Sequence, residues 1–141
     1  MASFIDWDKQ VEILLAYATQ LGYDVKFKNL KDKASWISFS TKEIVIHKSS
    51  TKELQVYDFI HELGHVEQQK NAAVYHKLFG KVFADFSKQS QTYKMKILEE
   101  ELDAWNKGLK LSHKLGIVVN QRCFEIRKAS RVATYASWAL K

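Results

Sequence analysis

An α+β fold is predicted for this chain by three observations. The 141 residues contain no proline, which removes the commonest interruption of long helices. Three short stretches rich in β-forming residues lie close together between positions 24 and 47. On both sides of them, apolar residues recur at the three-and-four spacing of amphipathic helices. The length suits one domain, residues 1–141, built on one core. With 46% hydrophobic and 27% charged residues the composition is globular, which excludes a disordered chain. No apolar run approaches the ~18 residues of a membrane span. Residues 1–10 carry neither the basic nor the apolar region of a secretory signal. Cys123 is the single cysteine, which excludes a disulfide framework and a cysteine-built zinc finger. A cytoplasmic location without membrane attachment is therefore expected.

Each element has a local reason. Asp6 is placed to cap a first helix with Val11, Leu14, Leu15, Ala18 and Leu21 on one stripe, and Gly22 supplies its stop. Strands are predicted over Asp24–Lys28, Ala34–Ser40 and Glu43–His47, with Ser40-Thr41-Lys42 as the loop joining the last two into a hairpin. Ser50 followed three residues later by Glu53 forms a capping box. A helix is expected from there to about Lys70, with Val56, Phe59, Ile60 and Leu63 on its apolar face. Further helices are expected over about Ala72–Phe86 and Thr92–Leu115. In the second of these, Met95, Leu98, Leu102, Trp105 and Leu109 alternate spacings of three and four and predict a buried seam. Gly116 ends it. Asn120 can cap a last helix that packs through Phe124, Val132, Tyr135 and Trp138.

The first long helix after the strands contains His61-Glu62-Leu63-Gly64-His65, an HExxH motif. Two histidines at i and i+4 share a helix face, so their ring nitrogens can converge on one ion. Imidazole suits zinc, and tetrahedral zinc accepts both ligands from one turn. Glu62 is then placed to take a proton from a water polarised by the ion, as a general base. A hydrolytic zinc needs a third protein ligand. The metzincin continuation is absent, because Gln68 and Asn71 stand where glycine and histidine would be. The remaining source is a carboxylate from the later helix, in Leu98-Glu99-Glu100-Glu101-Leu102-Asp103-Ala104-Trp105. Glu99 and Asp103 are one turn apart beside the apolar seam. Glu99 is therefore the expected ligand, and Asp103 the expected acceptor for the free N–H of a ligand histidine. Glu100 and Glu101 are each expected on a solvated acidic face, and a one-residue shift to Glu100 is the alternative for the ligand.

HELGH followed by a helix carrying Glu-x-x-x-Asp resembles the gluzincin branch of the zincin metallopeptidases, the thermolysin-like clan. The size and the order of elements are similar to ImmA/IrrE-type peptidases and minimal gluzincins. The motif likeness covers about twelve positions, and the order of elements extends it to roughly residues 24–115. The resemblance implies a zinc-dependent peptidase acting on a peptide or protein. It makes His61, His65 and Glu99 the ligands of one Zn²⁺ and Glu62 the base, with Asp103 behind them. It also implies an edge strand to which an extended substrate adds, and Ala34–Ser40 is the matching segment. Trp36 or Phe39 can shape a pocket there, although core aromatics are the more ordinary reading. Members of the clan use a Tyr or His to stabilise the oxyanion. The candidates are Tyr135, Tyr93 and His113, with Tyr135 favoured for its place on the terminal helix. His47 and His76 are expected at the surface.

The net charge of +6 is uneven. From Lys107 to Lys141 there are eight basic residues and one acid, so that segment carries +7 and residues 1–106 carry −1. A basic terminal helix allows a second reading, in which a metal-binding regulatory module docks an acidic partner. Retention of Glu62 favours the peptidase. No nucleic-acid-binding signature is present, and nucleic acid is not an expected partner.

Overall fold

A computed structural model describes residues 4–49 and 51–141 and has the α+β layout: one helix, a three-stranded sheet, then helices. Asp6 accepts a hydrogen bond from the Lys9 amide and opens α1, Trp7–Gln20, which ends before Gly22 at φ +88°. Strands β1 (Asp24–Lys28), β2 (Trp36–Ser38) and β3 (Glu43–His47) form a sheet in the order β1-β3-β2. β1 lies parallel to β3, and β2 lies antiparallel to it with Trp36 opposite Val45. The central strand is the apolar one: Ile44, Val45 and Ile46 are all buried. The segment predicted as a strand over Ala34–Ser40 is extended only at Trp36–Ser38. Its neck is held instead by Ser35, whose Oγ accepts from the His47 amide at 2.8 Å.

Helix α2, Lys52–Gln69, runs through the centre of the molecule. Its cap is Thr51, whose hydroxyl accepts from the Leu54 amide; the predicted cap, Ser50, lies outside the described residues. Val56, Phe59, Ile60 and Leu63 are buried as predicted, against Leu14 and Ala18 of α1 and Ile44 and Ile46 of β3. The helix expected over about Ala72–Phe86 is present over residues 72–85 with a π-helical turn inside it. It consists of α3 (Ala72–Tyr75), a π-helical turn (His76–Gly80) and α4 (Lys81–Asp85). Helices α5 (Gln91–Lys114) and α6 (Gln121–Ala139) complete the fold, capped by Ser90 and Asn120. Phe124 is buried and Val132 and Tyr135 are half-buried, whereas Trp138 is exposed. Among the described residues no helix is long and apolar enough to cross a membrane.

The predicted seam of α5 holds at Trp105, which is buried, and is otherwise corrected by the structure. Met95 is exposed, and Leu98, Leu102 and Leu109 are only half-buried. The face turned to α2 carries Glu101, Ala104, Trp105 and Gly108, at i, i+3, i+4 and i+7. Two glycines make this contact. A β-carbon on Gly64 would overlap the Ala104 carbonyl, and one on Gly108 would overlap the Ile60 carbonyl. The two helices thus meet backbone to backbone at Gly64 and Gly108, and the face that carries Ala104 and Gly108 turns inward in place of the leucine face. This close approach carries the residues of α5 to the histidines of α2.

Candidate metal centre

His61 and His65 project from α2 into the junction with α5 and are each 9% exposed. Opposite them is Glu101, not Glu99. Its Oε2 lies 2.7 Å from His61 Nε2 and its Oε1 lies 3.4 Å from His65 Nε2. One ligand atom from each of the three residues lies within 4.8 Å of the other two, so the group can hold a metal ion. Two further corrections follow from the same rotation. At 100° per residue, Glu99 sits about 200° round the helix from Glu101; it is exposed and pairs with Lys96 at 2.8 Å. Glu100 turns to Tyr75, whose hydroxyl donates to it.

Asp103 does not touch a ligand histidine. It accepts from Gln68 Nε2 at 3.0 Å and from Lys107 at 3.1 Å. Gln68 is the residue that meets the imidazole: its Oε1 lies 2.9 Å from His65 Nδ1. Its Nε2 donates to both the Glu100 carbonyl and Asp103, which fixes the amide with its oxygen toward the ring. The Nδ1–H of His65 therefore points at Gln68, and Nε2 keeps a lone pair for a metal. Gln68→Met fills the same space without the acceptor. It is expected to weaken metal affinity by roughly 10–100-fold, as read by competition with a chromophoric chelator. His61 is steadied differently, by the Trp105 ring stacked on it at 4.4 Å and 6°.

The three groups interact strongly with one another. Burial by itself would push His61 down, but the Glu62 and Glu101 carboxylates outweigh it and hold the imidazole up at about 10. His65 is raised too, against its burial, chiefly by its hydrogen bond to Glu101. Burial favours the neutral form of Glu101, yet the two imidazoles hold its carboxyl well below the usual carboxylate range. The buried carboxylates thus favour positive charge on the imidazoles, and a cation held by the same three side chains would offset that negative charge in its place.

Glu62 is buried and lies against His61, with Oε1 3.4 Å from Nδ1. Tyr135 reaches the same place from α6, lining a cleft with His61, Glu62 and Glu101. Burial, then the charges of Glu101 and Glu62, push its phenol well above the ordinary range, so it remains a hydrogen-bond donor. Tyr93 is half-buried on α5, and its ring packs with Phe83. His113 is exposed near the end of α5, and His76 is exposed as predicted. His47 is half-buried and serves the loop before β2, with Nδ1 accepting from the Leu30 amide at 3.0 Å. Strand β2 borders the cleft, and Trp36 and Phe39 line it instead of joining the core, at 42% and 40% exposed.

Glu101 and Gln68 were the residues that apolar periodicity could not find. A usable signal was present: Ala104 and Gly108 are small residues one turn apart on the face of α5 that carries Glu101, and Gly64 is the small residue facing them on α2. Among known proteins, the chain matches no family model, no curated protein and no solved structure.

Proposed function

We propose that the chain is a zinc-dependent metallopeptidase of gluzincin type, acting on a peptide or protein substrate. The observation that carries this reading is the convergence of His61, His65 and Glu101 beside a cleft that also holds a second carboxylate, Glu62, and a phenol donor, Tyr135. Two imidazoles and one carboxylate are a donor set that zinc favours, and three protein ligands leave a position for chemistry. When bound, zinc supplies a Lewis acid that brings the pKa of a water to ≈ 7.

The chain's own residues do the rest. Glu62 takes the proton at its carboxylate and passes it to the leaving amine. Tyr135 Oη donates to the oxygen on which negative charge develops. Strand β2 pairs on one side with β3 and has no strand on the other among the described residues. Its outer edge can take an extended peptide as an added strand, which would lay the peptide along the cleft.

Glu62→Gln tests the reading. The amide cannot accept the proton, so hydrolysis is expected to fall by roughly 10²–10⁴-fold, while zinc content by elemental analysis and the far-UV circular dichroism stay as in the parent. Equal cleavage by the two proteins would refute the hydrolytic mechanism.

A further inference from the structure

A side pocket adjoins the cleft. It is a cavity of about 100 Å³ that shares Ser35, His61, Glu62 and Tyr135 with the cleft and adds Asp58 and Arg131. Two arginines one turn apart on α6 face the single carboxylate of Asp58. Arg127 satisfies that carboxylate alone: its Nε donates to Oδ1 at 2.9 Å and its Nη2 to Oδ2 at 2.7 Å. Arg131 stands 3.7 Å from the same group, beyond hydrogen-bond range, and donates from Nη2 to the Lys33 carbonyl. A guanidinium has five N–H donors, and those of Nε and Nη1 find no partner among the described residues. Two guanidiniums thus share one carboxylate, Arg131 as an ion pair without a hydrogen bond, and its N–H groups that find no partner line the pocket.

Two carboxylates, Asp58 and Glu62, also line the pocket, the first held by Arg127, and Ser35 adds a hydroxyl. Ser35 Oγ accepts from the His47 amide, so its own proton is available to donate. Glu62, the other acid in the lining, lies against His61. Arg131 is anchored at the Lys33 carbonyl, so its fork is already held in place for a ligand with two coplanar oxygens.

We propose that this pocket is a substrate subsite for a carboxylate, read by Arg131. The carboxylate is either an Asp or Glu side chain flanking the scissile bond or the C-terminal carboxylate of a peptide. The inference rests on the peptidase reading, since the pocket shares Glu62 and His61 with the cleft. A neutral side chain there leaves the Nε and Nη1 donors of Arg131 without an anionic acceptor, and a basic one meets repulsion from its guanidinium.

The test uses the zinc-loaded full chain and acetylated, amidated peptides identical except for Glu, Gln or Lys at each position around the cut. A parallel set carries a free C-terminal carboxylate, which separates the two sources. A hydrogen bond to a charged group sets the expected Glu-over-Gln preference in kcat/KM at ~10–100-fold, expressed mainly in KM. Arg131→Met should bring that ratio to about one, and Arg131→Lys should restore part of it. A ratio near one in the parent for both sets overturns the proposal. So does an unchanged ratio in Arg131→Met, because a purely structural arginine would lower all peptides alike.

The same peptides, fluorescently labelled, are also titrated by anisotropy against the zinc-loaded Glu62→Gln chain. Carboxylate-selective binding that depends on Arg131, with no cleavage by the parent, would defeat the peptidase reading and leave the subsite standing. Binding without carboxylate preference overturns the subsite whether or not the chain cleaves.

Discussion

Gly64→Ala is expected to destabilise the protein by about 3 kcal/mol or more, near the upper end for overpacking a core. The sign is the informative part. Alanine for glycine inside a helix ordinarily stabilises by roughly 0.5–1 kcal/mol. Here the added methyl would overlap the Ala104 carbonyl, and the Gly108 amide nitrogen is 3.1 Å from the same point. Both obstacles are backbone atoms of α5, which no rotamer change can move. The helices must separate, and separation draws Glu101 away from His61 and His65. Loss of stability in urea unfolding should therefore be accompanied by loss of metal affinity, although no ligand has been changed. A Gly64→Ala protein with parental stability and affinity would contradict the close helix contact.

Glu101→Gln is expected to lower zinc affinity by on the order of 10²–10⁴-fold, while Glu99→Gln leaves it unchanged. Zinc bound by small protein sites is worth about 10–16 kcal/mol, so one of three protein ligands accounts for several kcal/mol. The amide keeps the shape of the side chain but not the anionic oxygen that offsets the metal charge. Glu99 is half exposed and holds only Lys96, a surface pair of about 0–1 kcal/mol. Competition titrations on the two variants compare neighbouring acids of one sequence run. If Glu99→Gln were the weaker binder, the assignment of Glu101 would fail.

The likeness to gluzincins was carried by HExxH and by an acidic run on a later helix. The motif places its own residues, because i and i+4 on a helix share a face whatever surrounds them. The acidic run does not: Glu99, Glu100 and Glu101 differ by 100° steps, and only the neighbour of α5 decides which one faces inward. Choosing the acid beside Leu98 and Leu102 assumed that the large apolar face is the buried one. In the structure those leucines are half-buried, and the inward face is the one that carries Gly108.

Asp103 illustrates the same point at longer range. It belongs to the network behind the site, but Gln68 stands between it and His65. A side-chain amide has a donor and an acceptor, so it can join a carboxylate to an N–H that would otherwise be out of reach. Gln68 was visible as the residue that excludes the metzincin pattern, and its second role appears only once α5 is in place.

The sequence by itself determined what local chemistry controls. Asp6 and Asn120 cap their helices, glycines end α1 and α5, β-formers place three strands between residues 24 and 47, and HExxH presents two imidazoles and a carboxylate on one turn. Only the tertiary structure decided which acid completes the metal group, which amide orients His65, and how Arg127 and Arg131 share Asp58. These are contacts between elements distant in sequence. Their geometry depends on how closely helices approach, and that distance is set by the absence of side-chain atoms at Gly64 and Gly108, which no apolar periodicity records.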